Sequence, residues 1–475
     1  MSLWEKEIKN GNKLNNDVEV DILIIGAGMT GLNTAYYLKD KNIAVVDSFK
    51  IGHGVTLNTT AKINYFQGIS YTKMSNDKAK LYLKSQLEAI KNIKEIIERE
   101  NIDCNLERNC SYVFANDENE RIKLKREVLF LKKNGIKVRE DKLKEFPNKL
   151  SYYVEDTYTF HPLKYLEGIV KILKENKISI YEDTTITKIE EKDNFYICHT
   201  DNYKIKCSKV VLALHYPYFI KPLFIPLKAS IEKSYILVNK IDNNYNYNYI
   251  SAGNQVYSSR FYSDLNDYKI YLGESHNSAF KQNDLNHFDK VLKQFNLNEK
   301  EVIDFYSNVD LITFDYLPFI GKVKDNMYVS TGYNTWGMTN SVIGSKIISD
   351  LILNKENGYI DLFNPKRVNL TLFLKMPYYI FSQIKSFVGP KIIKNKNWYK
   401  NVYFEKRNGI NVGIYVDEKG KHIVKNKCPH LGCSLIFNEV EKSWDCPCHS
   451  SRFDIDGNCI KGPSFYDIKY NDDIK

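Results

Sequence analysis

No run of about 18 apolar residues occurs anywhere in this 475-residue sequence, which argues against a membrane-spanning helix. The opening stretch, MSLWEKEIKNGNKLNNDVEV, is polar and lacks the apolar core of a secretory signal. Both absences predict a cytoplasmic protein. Charge of one sign is also scarce: 68 basic residues against 58 acidic leave +10, too mild to imply nucleic acid. No basic stripe interleaved with aromatics stands out. Nine cysteines are too few for a disulfide scaffold. What remains, 43% hydrophobic and 27% charged, is a soluble globular composition. The length exceeds one ordinary domain, so two or three are expected.

The first motif lies near the start. VDILIIGAGMTGLNTAYYLKDKNIAVVDS reads as strand, tight turn, helix, strand. Gly26, Gly28 and Gly31 make G-x-G-x-x-G. Gly26 permits the turn, Gly28 lets backbone approach a pyrophosphate at the helix N-terminus, and Gly31 lets helix and strand pack closely. Asp47 ends the second strand, 21 residues after Gly26, where a carboxylate can bind ribose hydroxyls. The motif alone does not separate NAD from FAD. No second copy is present, which argues against a disulfide-type reductase with two nucleotide sites.

Further segments follow in order: GVTLNTTAKI (54–63), FHPLKYLEGIV (160–170), VVLALHYP (210–217), YLPFIG (316–321) and YVSTGYNTWGMTNSVIGSKIISDLI (328–352). With the glycine motif they resemble the D-amino-acid-oxidase/glycine-oxidase-like FAD-dependent oxidoreductases. The resemblance implies an α/β fold: a Rossmann-like, glutathione-reductase-type FAD domain over 18–362, after an N-terminal extension at 1–17. It implies an interleaved antiparallel substrate subdomain from about 101–154 and 226–322. It puts Thr59, Thr60, Ala61 and Lys62 beside the flavin diphosphate or ring. Gly332, Asn334, Trp336, Gly337 and Met338 fall in the turn before the last helix, whose N-terminus faces the flavin. Arg260 in YSSRFYSD could fork onto a substrate carboxylate, although a surface role fits it equally well. Tyr316 and GESHNS (273–278) are further substrate-side candidates. His161 and His215 read as structural hydrogen-bonders. No catalytic residue is assigned, because hydride transfer to a flavin needs no side-chain base.

The second motif is CPHLGCSLIFNEVEKSWDCPCHSSRF, residues 428–453, with four cysteines and two histidines inside 22 residues. Cys and His at short spacings suit zinc. The C-x-H and C-x-x-H boxes resemble more closely a Rieske [2Fe–2S] site, in a small all-β domain at 400–475. The resemblance makes Cys428, His430, Cys446 and His449 the ligands. Two imidazoles in place of thiolates leave such clusters less negative, with potentials of about −150 to +300 mV. In Rieske proteins of the cytochrome bc class, the pair equivalent to Cys433 and Cys448 forms a disulfide. Gly462-Pro463 resembles the loop covering the cluster, and Ser451 a serine bonded to a cluster sulfur. Phe453 stands where high-potential members carry Tyr, which predicts a potential below the top of the range. Cys104, Cys110, Cys198, Cys207 and Cys459 read as ordinary thiols.

Between the two lies a basic amphipathic join, 363–399. Over 361–399 it carries seven basic residues and one acidic. PYYIFSQIKSFV predicts a helix starting at Pro377 and stopping before Gly389-Pro390. Either it packs on the flavin domain and sets the flavin–cluster distance, or 367–396 touches an anionic membrane at its inner face.

The whole resembles a fusion found among bacterial proteins. It implies an FAD dehydrogenase that oxidises an amine, amino acid or similar small C–H donor. Electrons would then pass through the cluster to an external acceptor. Alternatives are a reductase fed by the cluster, or a cluster that senses redox state or stabilises the fold.

Overall fold

The computed structural model describes residues 12–471 except 146, 218–227, 242–246, 265, 279–283, 369–370, 372–373, 379, 382–383 and 385–400, together with 3, 4 and 8. The apolar run Val18–Ile25 becomes the middle of a parallel sheet because both of its faces are covered. It is flanked by Lys204–Leu212 on one side and Ile43–Val46 on the other, with Ile22 opposite Lys209 and Ile43. Met327–Thr331 and Ser179–Tyr181 extend the sheet outward, and Phe319–Lys324 closes one edge antiparallel.

Helix Met29–Tyr37 follows the first strand with its face buried, and helix Gly337–Ile352 packs beside it. Ser345 donates to the Thr30 carbonyl across that contact at 2.8 Å. The first helix lies close against its own strand and turn because residue 31 is glycine, where an added Cβ would stand 1.7 Å from the Gly26 carbonyl oxygen.

The chain leaves this sheet twice to build a second. Its order is Val302–Thr313, Ala229–Lys240, Asp267–Asn277, Ser258–Ser263, Tyr247–Ser251, Glu107–Ala115, Leu150–Thr159 and Lys62–Ile63. Pairing is antiparallel except where Tyr247–Ser251 runs parallel to Glu107–Ala115. The result is the α/β flavoprotein architecture expected from the motifs.

The last part of the chain is all β. A three-stranded sheet (Val402–Arg407, Ile410–Asp417, Gly420–Lys425) packs with a four-stranded one (Ile436–Asn438, Ser443–Asp445, Arg452–Asp454, Cys459–Lys461). Trp444, Phe437 and Phe453 fill its core.

In the join, residues 371, 374–378, 380, 381 and 384 are helical. The helix therefore begins upstream of Pro377, not at it. Leu374, Lys375 and Tyr378 line a large cavity, and Lys375 Nζ donates to the Phe314 carbonyl at 3.3 Å, so tertiary packing extends the helix backward. The remainder of the basic join, 385–399, lies outside the described residues.

Candidate functional site

Two cavities meet behind the Thr59–Thr60 segment, and both residues line both. The first runs along the carboxyl ends of the parallel strands, where Gly26, Gly28 and Asp47 line it. A Cβ on Gly28 would stand 3.2 Å from Thr56 Oγ1, so the bare backbone leaves the space a pyrophosphate needs. Asp47 is half-buried, and its carboxylate accepts from Ala27 N at 2.7 Å and Phe49 N at 2.9 Å. Burial pushes its acidity up to about pH 6, against those two bonds. Each carboxylate oxygen keeps a lone pair for a ribose hydroxyl.

The far end of this cavity is lined by Gly332, Gly337 and Met338 at the start of the last helix. Asn334 and Trp336 face the second cavity, and Met338 touches both. The turn is pinned by Asn334 Oδ1, which accepts from Thr313 N at 2.7 Å. These residues fit an extended dinucleotide with its reactive ring between the two cavities.

Three predicted residues sit elsewhere. Gly31 is spent on packing. Ala61 is fully buried with φ 51° and lines neither cavity. Arg260 is not available to a substrate carboxylate. It is 1% exposed, and its guanidinium donates to the carbonyls of Thr60 (2.8 Å), Ala61 (3.2 Å), Phe160 (2.9 Å) and Phe261 (3.3 Å). A fork with every arm on backbone is a strut for the segment dividing the cavities. His161 caps its helix through Lys164 N, as a structural residue should. His215 lines the nucleotide cavity, its side chain open to that space.

The second cavity, 960 Å³, opens over the antiparallel sheet. Tyr316, Ser275, His276 and Asn277 line it, together with Lys62. Lys62 thus stands on the substrate side of the wall.

In the small β domain, the two cysteine–histidine loops come together. The Cys428 and Cys446 thiols share a hydrogen bond, and the Ser451 hydroxyl bonds the Cys428 sulfur. The rings of His430 and His449 meet edge to face at 4.9 Å. Burial lowers both histidines, His449 to about 3 with help from His430, so both are neutral as metal ligands must be. His449 Nδ1 is buried with no hydrogen-bond partner among the described residues. A bound metal would satisfy it, so the residues present fit a Cys₂His₂ centre. Cys433 and Cys448 are joined by a disulfide with Cα atoms 6.6 Å apart, tying the loops together. Both sulfurs lie close to Cys446, but neither is free to ligate a metal.

This domain is not a loose appendage. His449, Lys461 and Pro463 form part of the wall of the nucleotide cavity, and Tyr216 packs on His449 at 5.1 Å. Buried ion pairs hold the contact. Lys233, 4% exposed, bridges Asp284 at 2.9 Å and Asp445 of the β domain at 3.0 Å. Burial lowers the pKa of its ammonium, but the two carboxylates outweigh burial and raise it. Arg452 grips Asp445 and Glu441 and donates to Ser307 Oγ at 2.7 Å. Sequence reading missed this latch. One signal was present: in ASIEKSYILVNK, Lys233 falls on the inward-facing parity between Ile231 and Tyr235.

A family model for FAD dependent oxidoreductases matches residues 21–351, and one for the Rieske [2Fe-2S] domain matches 392–470. The chain belongs to the FAD dependent oxidoreductase family. It carries a Rieske domain besides, and its cofactors are FAD and a [2Fe–2S] cluster. It is 30% identical, over 97% of its length and 94% of the relative's, to a Bacillus subtilis (strain 168) protein named for its Rieske 2Fe-2S centre, YhfW. Its fold resembles L-proline dehydrogenase from P. horikoshii (TM-score 0.63, 16% identity, 74% of this chain and 98% of that one). It also resembles glycine oxidase from Geobacillus kaustophilus (TM-score 0.62, 16% identity, 74% and 100%). No described helix is long and apolar enough to cross a membrane.

Two outcomes follow. Lys233→Met leaves Asp284 without its cation and Asp445 with Arg452 alone, a loss of about 3 kcal/mol. The full-length protein should melt earlier, with cluster absorbance unchanged; an unaltered melting curve would refute the latch. Phe453 is fully buried in the core that contains Cys428 and Cys446. Phe453→Tyr should raise the cluster potential in a redox titration by adding a donor near the ligand sulfurs. No upward shift would remove that account.

Proposed function

We propose that this enzyme is a dehydrogenase that oxidises an amine, amino acid or similar small C–H donor and sends the electrons through its Rieske centre to an external acceptor. Cys428 and Cys446 hold one iron and His430 and His449 the other. Gly26, Gly28 and Asp47 cradle the dinucleotide, and Thr59, Thr60 and the 332–338 turn flank its ring. When bound, FAD takes two electrons from a donor and can release them singly, which suits a one-electron cluster.

The observation that carries this reading is the position of His449. A side chain that would ligate an iron of the cluster stands on the wall of the nucleotide cavity. Electron transfer slows steeply with distance, and the buried latch holds this short path constant. The chain's own part is otherwise positioning. Arg260 stiffens the wall between the cavities, and Tyr316 and His276 line the space over the ring. The test is anaerobic stepwise reduction followed by absorbance and EPR together. The Rieske signal should appear before the flavin bleaches. Flavin filling first would favour the reversed current.

The join supports a second feature, docking on an anionic membrane surface. Leu374, Tyr378, Phe381 and Ile384 are 72%, 62%, 62% and 55% exposed and recur at helical spacing, so they form one apolar stripe. The surrounding sequence, 361–399, is strongly basic. An apolar stripe with basic flanks suits the boundary of an anionic bilayer. The protein should co-sediment with phosphatidylglycerol vesicles at low salt, less so at high salt, and not with phosphatidylcholine. Leu374→Glu with Phe381→Glu should abolish the binding. Absence of the wild-type protein from the low-salt pellet rules docking out.

A further inference from the structure

The second cavity has an unbalanced charge. Among the described residues, Lys62, Lys73, Lys123, Arg126 and Lys375 line it, against Glu232 as the one acidic side chain. Surface lysines alone would say little in a lysine-rich chain. Lys62 says more. It lies on the two-residue strand paired with Thr159, is 8% exposed, and has no carboxylate in ion-pair contact among the described residues. Burial, and the positive Arg260 behind it, push its ammonium down to about pH 7. A buried ammonium without a counter-ion gives up its proton readily, and an anion arriving beside Lys62 would hold that proton on. Arg260 cannot share an incoming anion, because all its arms are on backbone carbonyls.

The other cations stand further out. Lys73 and Lys375 lie 4.5 and 5.1 Å from the Tyr316 ring centroid, and both draw on Glu232. Lys123 and Arg126 are one turn apart on helix Glu118–Lys133. The cavity therefore has a buried cation beside Thr60, at the flavin side, and several cations toward its mouth.

We propose that the substrate carries at least two anionic groups, one meeting Lys62 and the other the cations at the mouth. This deepens the dehydrogenase reading by naming the substrate class, and it rests on that reading only for the word substrate. The anions are carboxylates or phosphates, which ammonium groups bind alike.

The test uses the intact holoenzyme and three compounds it cannot dehydrogenate as amines: acetate, glutarate and 2-phosphoglycolate. Binding is read as perturbation of the flavin absorbance. At least one of the two larger anions should bind about tenfold or more tighter than acetate, as one extra charge-assisted contact allows. Lys73→Glu with Arg126→Glu, both exposed positions, should erase that advantage while acetate binding persists. Preference for glutarate assigns the distal group as carboxylate, and preference for 2-phosphoglycolate as phosphate. Acetate binding as tightly as both, no binding by any of the three, or an advantage untouched by the charge reversals overturns the proposal. Because no probe needs to react, a failure here is distinct from a failure of any amine to reduce the flavin.

Discussion

Lys233 is the point on which the arrangement of this molecule turns. A charged lysine buried between two domains is costly unless carboxylates meet it. Here one comes from the flavin domain and one from the Rieske domain. Such a bridge contributes little net stability over an apolar contact of the same size. Its effect is on specificity. A domain docked a few ångströms away would break the Lys233–Asp445 pair and the Arg452–Ser307 hydrogen bond, leaving each charge in the seam with only the partner from its own domain. The charges therefore select one pose, and that pose puts His449 on the wall of the nucleotide cavity.

Arg260 does for the flavin domain what Lys233 does for the interface. Its arms hold the Thr60 and Ala61 carbonyls to Phe160, drawing the cavity wall against the neighbouring strand. Trp4 and Tyr262 cover its face at 4.9 and 5.4 Å. Ala61 can then keep φ at 51°, a backbone conformation a non-glycine residue rarely adopts unsupported. One consequence is that Lys62, the next residue, is turned into the second cavity beside a positive neighbour and, among the described residues, with no carboxylate in ion-pair contact.

Legibility in the sequence followed the range of the interaction. The glycine turn and the two cysteine–histidine boxes are local, so spacing alone exposes them, and the structure builds a nucleotide cavity and a loop cluster from those segments. The disulfide was accessible through resemblance, since it joins residues 15 apart in two recognisable boxes. Arg260 was misread because an arginine among tyrosines looks alike whether it faces a ligand or four carbonyls. Those carbonyls come from segments up to 200 residues away. The latch hid for the same reason, since Lys233 and Asp445 are 212 residues apart. Pro377 misled because a good first helical residue need not be first when cavity packing recruits the residues before it.

A fixed dock changes what the join must do. If the Rieske domain moved between partners, the join would be a tether, and length and flexibility would decide its sequence. Held by Lys233 and Arg452, the domain needs no tether to find its place. Arg367 meanwhile anchors the start of the join, its Nε and Nη2 on Asp315 at 2.7 and 2.8 Å. Neither end, then, asks for a large apolar surface in between. Yet the helix after Arg367 keeps large apolar side chains facing outward, Leu374, Tyr378, Phe381 and Ile384 among them. On a protein surface, exposed apolar area of that kind usually marks a contact. Leu374 and Tyr378 also border the cavity mouth, so whatever covers the stripe would sit beside the entrance to the basic cavity.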